Sequence, residues 1–516
     1  MLRKLKFNGN IKKILIELGI YLLLFCYAIV MYLIFKPLYS EIRNGVYSQC
    51  LTILSLAIIF IVGVILKKTN KLSLEMLLLL LVLASFAIRL GYMLSTPYNC
   101  RQHDTITNNN DGHEAYAWII YTQNALPSSN VYQFYHPPLN AFTQSCFMHF
   151  MKPILELYNS LKGEMVYDTT QMHVMYQTCQ ILSLMYMTLC GTIGIKIIKY
   201  FKMGRKSFLI GSLFILFYPR LIQLSGQLNN DAICVMFSFL TILFSLRWWK
   251  SRSWFDIIIL ALSIGLAMNS KLSGAVICAP TAFIFIYEFV KAIKNKDYSY
   301  LRKLCIQYVV FLLICAPIGL WFQVYAYIRF DQKFGHVFSN LNPALSVAEY
   351  NFFERFINPF DFKDLTVDLF ARASENYNLF NYTVKCSLFG EFRYWQGEGF
   401  AFIAIATNYI IGLLSGILFA IYLIDSKKED FKGKIVALTI LISQCLAMLY
   451  FNIKMPYGCT MDFRYIVPII IGFGIMLNLV NEKYSSKGKG KILVDIMNTL
   501  VCIMIVASNI FYIVCI

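Results

Sequence analysis

The polar residues whose types could support chemistry follow long apolar segments. Arg101, His103 and Asp104 come shortly after an apolar run that ends near residue 94. A carboxylate this close to the end of a membrane span can accept a proton from a hydroxyl group and act as a general base. A solvated loop aspartate with an ordinary pKa would show the same local sequence, so that alternative stays open. Asp104 is therefore the first candidate catalytic residue, with His103 and Arg101 beside it.

Two histidines follow in the same polar stretch. Asp111 and Glu114 have the spacing of an N-cap and its reciprocal partner at a helix start, which explains Glu114 structurally. This pattern leaves His113 unexplained, so His113 is a candidate for hydrogen bonding near a site. His136 precedes two prolines at a predicted helix N-terminus, where free N–H groups attract anions such as a lipid phosphate. A rigid proline corner with an incidental histidine is the alternative.

Further polar residues stand at the ends of later apolar runs. The candidates among them are Asp231, Lys271, Arg393, Arg464 and Tyr465. Polar groups that face a bundle interior at membrane depth are costly and tend to be functional. Each also has a structural interpretation when taken singly; Asp231, for example, would serve as the N-cap of the sixth predicted span.

The composition requires a membrane-embedded helical protein. The chain has 516 residues, of which 58% are hydrophobic and 14% are charged. Backbone groups in hydrocarbon must pair within their own segment, and the apolar runs are too long for barrel strands, so we predict an all-α polytopic fold. About thirteen spans are predicted, at residues 14–35, 50–66, 74–94, 174–195, 208–224, 232–246, 255–268, 272–289, 304–325, 402–424, 435–450, 463–479 and 492–514.

The basic residues define an orientation. The formal net charge is +18, and lysine and arginine clusters occupy alternate connections, for example 3–13, 196–206 and 483–491. Short cytoplasmic loops hold such an excess, so we predict a multi-pass cell-membrane protein with a cytoplasmic N-terminus and an extracytoplasmic C-terminus. The charge excess is then topological, and a nucleic-acid partner is excluded.

Two long connections face outward in this topology. They cover residues 95–173 and 327–401, and we expect them to form short amphipathic helices on the membrane surface. All of the polar candidates above emerge on this same face, which favours a shared extracytoplasmic site. The first apolar run is too long for a signal peptide and is interpreted as a retained span.

Five short segments, taken in order, resemble a known family. They are Arg101-Gln102-His103-Asp104, Gly112-His113, His136-Pro137-Pro138-Leu139, Asn230-Asp231 and Asp462-Phe463-Arg464-Tyr465. They resemble the membrane glycosyltransferases of the GT-C fold, in particular glycosyltransferase family 39 and the protein O-mannosyltransferase-like enzymes of bacteria. The resemblance implies a GT-C-like catalytic core over residues 73–482. It leaves residues 1–72, with two extra spans, and 483–516, with a basic loop and the last span, outside that core.

The resemblance implies an activity and roles for single residues. Such enzymes transfer a sugar, with inversion, from a polyprenyl-phosphate donor to a protein or glycan acceptor on the extracytoplasmic side. Asp104 would then be the catalytic base. Arg464 would be the first choice to bind the donor phosphate, with Lys271, Arg393 and His136 behind it.

The sequence also departs from the family pattern. Related enzymes often show Asp-Glu in the first outer loop after one span, whereas here the residues are His103-Asp104 and two additional spans precede them. The second acidic residue is therefore open between Glu114 and Asp231. The histidines and Asp104 could ligate a metal, but their spacing matches no metal pattern, so we expect no cofactor.

A membrane transporter or lipid-linked-sugar flippase is the alternative function. Such a protein would hold its polar groups near the bilayer midplane. The predicted spans contain few ionisable residues there, since Glu17 and Arg89 lie toward span ends. The sequence leaves open which sugar and acceptor are used, and whether a partner subunit is required.

Overall fold

The described chain is helical throughout. The computed structural model describes residues 2–35, 41–105, 112–129, 131, 133–163, 172–335, 342–357, 368–373, 375–425, 431–486 and 488–515. Within these ranges the only β pairing is an isolated bridge between Ser346 and Tyr457. The predicted all-α class is confirmed.

The described residues form eighteen α-helices joined by short turns. In chain order they are α1 Leu2–Phe35, α2 Glu41–Lys68, α3 Leu74–Ser95, α4 His113–Gln123, α5 Leu139–Lys162, α6 Met172–Tyr200, α7 Arg205–Leu216, α8 Pro219–Leu224, α9 Asp231–Ser251, α10 Trp254–Ser270, α11 Cys278–Lys294, α12 Tyr298–Phe330, α13 Phe352–Phe356, α14 Leu379–Phe389, α15 Glu398–Asp425, α16 Phe431–Lys454, α17 Ile469–Tyr484 and α18 Lys489–Val514. Short 3₁₀ turns include Leu272–Ile277, Gly458–Met461 and Phe463–Tyr465.

Ten helical segments in the described part of the chain are long and apolar enough to cross a membrane. They coincide with ten of the thirteen predicted spans, which confirms a polytopic membrane protein. The ten segments differ widely in how much of their surface is buried inside the protein. The segment Gly45–Lys68 buries 6% of its most apolar window inside the protein, whereas Asp231–Ser251 buries 78%. The first therefore lies at the periphery and the second at the centre of the bundle.

Three predicted spans are not among these ten segments. Residues 208–224 do not form one helix, because α7 ends at Leu216 and Pro219 starts α8. Proline lacks the N–H that a continuous helix would use, and it disfavours helical backbone at the preceding residue. The predicted span 463–479 likewise begins only at Ile469, after Pro468. The third, α10, has 17 residues.

A buried arginine donates a hydrogen bond to the free carbonyl at the break between α7 and α8. Arg89 is fully buried in α3, where it contacts Ser85 and donates from Nη2 to the Leu216 carbonyl at 2.7 Å. Leu216 is the last residue of α7, so its carbonyl has no partner within that helix. Arg89 therefore acts as a structural cap between spans, a role that needs no transported substrate.

The two long connections contain the expected helices. The first holds α4 and α5, and the second holds α13 and α14. Helix α5 has 24 residues and is longer than the short helix expected there. The ends of α3 and α14, the start of α9 and the turn Phe463–Tyr465 converge at one end of the bundle, where the candidate site lies.

Candidate active site

Asp104 and Arg464 meet although 360 positions separate them in the chain. Nη1 of Arg464 donates to Oδ2 of Asp104 at 2.7 Å. The Arg464 side chain is 6% exposed and that of Asp104 is 36% exposed, so the carboxylate lies at the mouth and the guanidinium beneath it. Nη2 of Arg464 donates to the Tyr465 hydroxyl at 3.1 Å. The two residues assigned to base and phosphate binding are thus neighbours.

A second ion pair lies directly beside the first. Nζ of Lys271 contacts Oδ1 of Asp231 at 2.6 Å, and Nη1 of Arg464 lies 4.0 Å from Oδ2 of the same aspartate. Lys271 also lies over the Tyr465 ring, 4.6 Å from its centroid. The sequence interpretation of Asp231 as an N-cap is wrong, because Asn230 is the N-cap and Asp231 is the first residue of α9. Its side chain is therefore directed to Lys271 rather than to its own helix.

His103 joins this pair to a buried network. Its Nδ1 lies 3.2 Å from Oε1 of Glu391, and its Nε2 lies 3.3 Å from Oδ2 of Asp462. Nη2 of Arg220 donates to both oxygens of Asp462 at 3.0 and 3.1 Å. The Tyr382 hydroxyl donates to Glu391 at 2.6 Å. His103 directly precedes Asp104, and Asp462 is two positions before Arg464. The network therefore holds in place the two chain segments that carry Asp104 and Arg464.

Amide side chains hold the loop before Asp104 in place. Gln227 donates to the Arg101 carbonyl and accepts from the His103 backbone N–H at 3.1 Å. Gln102 donates to the Gly226 carbonyl at 2.7 Å and accepts from the Leu228 N–H at 2.9 Å. These reciprocal bonds pair the loop with the turn that precedes α9. The two turns therefore position each other, as well as Asp104 and Asp231.

The backbone at Asp104 is unusual. Its φ is +57°, in the left-handed region that aspartate and asparagine tolerate better than most residues. The Asp104 carbonyl accepts from the His113 N–H at 3.1 Å, and Gly112 lies against this contact. The predicted N-cap Asp111 lies outside the described residues, and the structure places Gly112 at the N-cap of α4 instead. Gly112 thus permits the close approach of α4 to Asp104.

The remaining predicted residues divide into two groups. Glu114 and His113 are buried at the start of α4, and the half-buried His136 has its ring 5.1 Å from that of His113. Arg101 instead lies over the rings of Tyr92 and Tyr394, and Arg393 is exposed over the ring of Trp395. The structure therefore does not bring Arg101 or Arg393 to the Asp104–Arg464 pair.

The charges shift the pKa values of the site. Burial raises the pKa of Asp104, but the adjacent Arg464 guanidinium outweighs this effect and holds it well below its usual range. Burial, reinforced by Arg464, lowers the pKa of His103 to about 3, and burial lowers that of His113 to about 4. Burial raises the pKa of Glu391. At neutral pH Asp104 is ionised and both imidazoles are uncharged.

One cluster has the donor types for a metal ion. The ligand atoms of His103, Glu391 and Asp462 all lie within 4.8 Å of one another. Arg220, however, already donates to both oxygens of Asp462 and supplies the positive charge there. A divalent cation would have to share this carboxylate with a buried guanidinium, which is unfavourable. The arrangement fits a hydrogen-bonded network better than a metal centre.

A narrow cavity extends from the site into the bundle. Asp231, Lys271, Arg464 and Tyr465 line its upper part, and Cys234, Ser238 and Gln444 line its lower part. Positions 231, 234 and 238 follow one face of α9 at helical spacing. The cavity therefore runs from the two cations along α9 into the interior of the bundle.

Fold and site together define a polytopic helical membrane protein with a buried ionic site at one end of its bundle. Residues 176–321 match the family model described as Dolichyl-phosphate-mannose-protein mannosyltransferase, a segment that includes Arg220, Asp231 and Lys271. This match confirms the predicted resemblance to the membrane glycosyltransferases over that segment.

The chain is also similar to a crystal structure of ArnT from Cupriavidus metallidurans bound to undecaprenyl phosphate. The identity is 10% and the TM-score is 0.46, over 86% of this chain and 77% of that chain. No curated protein matches the chain.

Sequence reasoning missed three residues of the site, namely Arg220, Glu391 and Asp462. Asp462 stands in a segment that carries the family resemblance, and Glu391 lies two positions before the candidate Arg393, but neither residue is a candidate in the sequence analysis. Arg220 was hidden inside the predicted span 208–224. An arginine within an apolar run is costly and could have been noticed on that ground.

Proposed function

We propose that this protein transfers a sugar, with inversion, from a polyprenyl-phosphate-linked donor to an acceptor hydroxyl on the extracytoplasmic side of the membrane. The observation that carries the proposal is the contact between Asp104 and Arg464, which puts a candidate base beside a candidate phosphate ligand at one end of the helical bundle. The family match over residues 176–321 supports the same class of chemistry.

The reaction requires little more than these groups. The acceptor oxygen attacks the anomeric carbon while the bond from that carbon to the phosphate oxygen breaks, and Asp104 takes the hydroxyl proton. The leaving phosphate gains negative charge, which Arg464 and Lys271 stabilise. A guanidinium can bind two phosphate oxygens at once, and Nε of Arg464 has no hydrogen-bond partner among the described residues.

Donor binding would also make Asp104 a stronger base. Without donor, Arg464 holds the pKa of Asp104 low, which makes the carboxylate a weak proton acceptor. A donor phosphate that binds Arg464 competes with Asp104 for the guanidinium. The pKa of Asp104 then rises toward its ordinary range, so basicity increases only when donor is present.

Replacing Asp104 with asparagine tests the proposal. Asparagine tolerates the left-handed backbone at this position, so the protein should fold while transfer from a polyprenyl-phosphate sugar falls by at least about a hundredfold. The matched control is Asp331→Asn, since Asp331 also has a positive φ, of +53°, but lies at the end of α12. The control should retain full transfer.

Full transfer by the Asp104→Asn variant would remove this residue from the mechanism. Movement of a lipid-linked sugar across vesicles by the wild type, with no glycosylated product, would instead support the flippase alternative.

A further inference from the structure

A second cavity lies at the other end of the bundle. Its volume is ≈ 290 Å³, and its lining includes Phe201, Lys202, Lys250, Lys432, Gly433 and Leu479; we refer to it as the lysine cavity. Helix α9 begins at Asp231 in the candidate active site and reaches Lys250 at its opposite end. Twenty-one helical residues span roughly 30 Å, the thickness of the hydrocarbon core. The lysine cavity therefore lies at the headgroup level of the opposite leaflet.

The lysine cavity concentrates positive charge. Lys202 follows α6, Lys250 lies in the last turn of α9 and Lys432 lies in the first turn of α16, so three distant segments each bring one cation to the same place. Among the described residues no carboxylate lines the cavity and none pairs with these lysines. Glu429 and Asp430 lie outside the described residues. The lining thus presents three exposed ammonium groups.

Two carboxylates near the cavity, Glu482 and Glu288, already have partners, and Glu482 accepts from the Gly204 N–H at 2.8 Å and the Ser207 hydroxyl at 2.9 Å. Glu288 pairs with Arg252 at 2.6 Å and accepts from the Trp249 indole N–H at 2.7 Å and the Tyr300 hydroxyl at 3.0 Å. These three partners occupy both of its oxygens. Glu288 therefore leaves the three lysines available for an external anion.

The lining of the lysine cavity includes the rings of Tyr200 and Phe201, and further aromatic rings pack behind Lys432. Nζ of Lys432 lies 4.8 Å from the centroid of the Trp249 ring, and Tyr287 packs against both Trp249 and Phe431 at 5.9 and 5.2 Å. Tryptophan and tyrosine gather at the boundary between headgroups and hydrocarbon. Phe201 and Leu479 add an apolar floor, which comes close because Gly433 has no side chain.

We propose that the lysine cavity binds the phosphate headgroup of an anionic phospholipid in the leaflet opposite the candidate active site. Basic pockets between spans at headgroup depth bind such lipids. The three ammonium groups match the phosphate, and the aromatic and apolar walls match the glycerol and the first methylenes of the acyl chains. A small soluble anion would use the charge but leave this apolar surface without a partner.

Native mass spectrometry of the full-length chain tests this site. The protein is titrated in detergent with phosphatidylglycerol, or with phosphatidylcholine as the zwitterionic comparison. Wild type should retain one phosphatidylglycerol in preference to phosphatidylcholine. The variant Lys202→Gln/Lys250→Gln/Lys432→Gln should bind that lipid about a hundredfold more weakly, since each lysine near a lipid surface contributes about 1 kcal/mol.

The matched control is Lys67→Gln/Lys68→Gln/Lys71→Gln. These three lysines are exposed before α3, at the same end of the bundle, and their replacement removes equal charge without touching the cavity. The control should bind like wild type. Equal weakening in both triple variants would reduce the effect to diffuse charge and overturn the site. Displacement of the lipid by millimolar inorganic phosphate would overturn it in favour of a soluble anion.

A single variant protects the test against misfolding. Lys250→Gln alters one exposed side chain and should weaken phosphatidylglycerol binding about fivefold, with an unchanged unfolding temperature. Unchanged lipid affinity in this variant and in the triple variant would contradict the proposal. The outcome does not depend on glycosyl transfer, because the measurement is lipid retention.

Discussion

Arg464 combines two roles at the scale of a single residue. It holds Asp104 in the resting site and, in the proposed reaction, receives the donor phosphate. Arg464→Lys keeps the positive charge but loses the planar pair of donors. We expect kcat/KM for transfer to fall by about 10- to 100-fold, the cost of one or two charge-assisted hydrogen bonds.

The control for this substitution is Arg393→Lys. Arg393 is exposed over Trp395 and does not reach the site, so its replacement should leave transfer kinetics unchanged. Equal kcat/KM in wild type and Arg464→Lys would show that bidentate binding plays no part.

His103 should make stability depend on pH. Its folded-state pKa of about 3 lies below its ordinary value near 6.5, so the unfolded chain binds more protons between these values. Stability is therefore lost as pH falls below about 6.5, by at most about 1.4 kcal/mol per pH unit for this group. The unfolding temperature in detergent between pH 4 and 7 should fall less steeply in His103→Gln than in wild type.

His149→Gln is the control for the pH experiment. His149 is exposed on α5 and packs against the Tyr121 ring, outside the network that buries His103. Its replacement should leave the slope unchanged. Identical slopes in wild type and His103→Gln would contradict the burial argument.

Sequence patterns predicted the ion-paired residues of the site better than the buried network around His103 that holds them in place. Asp104, Asp231, Lys271 and Arg464 each stand at the end of an apolar run, and the structure brings all four together. The contact of His103 with Glu391 and Asp462 depends on how three loops pack, which no local pattern encodes. Arg101 and Arg393 could bind a phosphate, but both lie over aromatic rings instead. Tertiary packing determines these positions, and the local sequence does not reveal them.

At the scale of elements, the departures from prediction occur where proline interrupts an apolar run. Hydropathy alone predicts one span across α7 and α8, although Pro219 separates the two helices. It also predicts that the span containing α17 begins at residue 463, whereas α17 begins after Pro468. Both interruptions place polar residues of the site, Arg220 after the first and Arg464 before the second. The broken elements are thus the ones that carry the candidate site, and irregular backbone at membrane depth is found where it is buried in protein or lines a cavity.

The start of α4 is a second element that positions the site. A Cβ at Gly112 would lie 2.6 Å from the Asp104 carbonyl oxygen and 2.6 Å from Cα of Thr105, both backbone atoms. Gly112→Ala must therefore displace the loop that holds Asp104. We expect about a tenfold or larger loss of kcat, with a lower unfolding temperature, because small misplacements of a catalytic group are costly.

Gly412→Ala gives the opposite expectation in the same assays. Gly412 lies inside α15 with nothing within 4 Å of an added Cβ. Alanine is favoured over glycine in a helix interior by about 1 kcal/mol, so this variant should be slightly more stable and fully active. Full activity in Gly112→Ala would mean that the Asp104 loop tolerates the displacement.

At the scale of the whole molecule, an odd or even number of membrane crossings decides whether the two termini lie on opposite sides or on the same side of the membrane. Thirteen crossings put the two termini on opposite sides of the membrane, whereas the ten long segments alone would put them on the same side. The difference lies in the short elements: α7 with α8, the 17-residue α10 and the 16-residue α17. Alternating basic clusters favour thirteen crossings and an extracytoplasmic C-terminus.

Reporter fusions to the C-terminus, after Ile516, test this parity. Alkaline phosphatase is active only outside the cytoplasm and green fluorescent protein fluoresces only inside, so we expect phosphatase activity without fluorescence. Fusions after Lys68, which follows two crossings under either count, should show the reverse and serve as the control. A fluorescent C-terminal fusion would mean that an odd number of the short elements turn back within the membrane. In the predicted orientation the candidate site would stay on the outer side in either case, because α3, which ends beside it, is the third crossing under both counts.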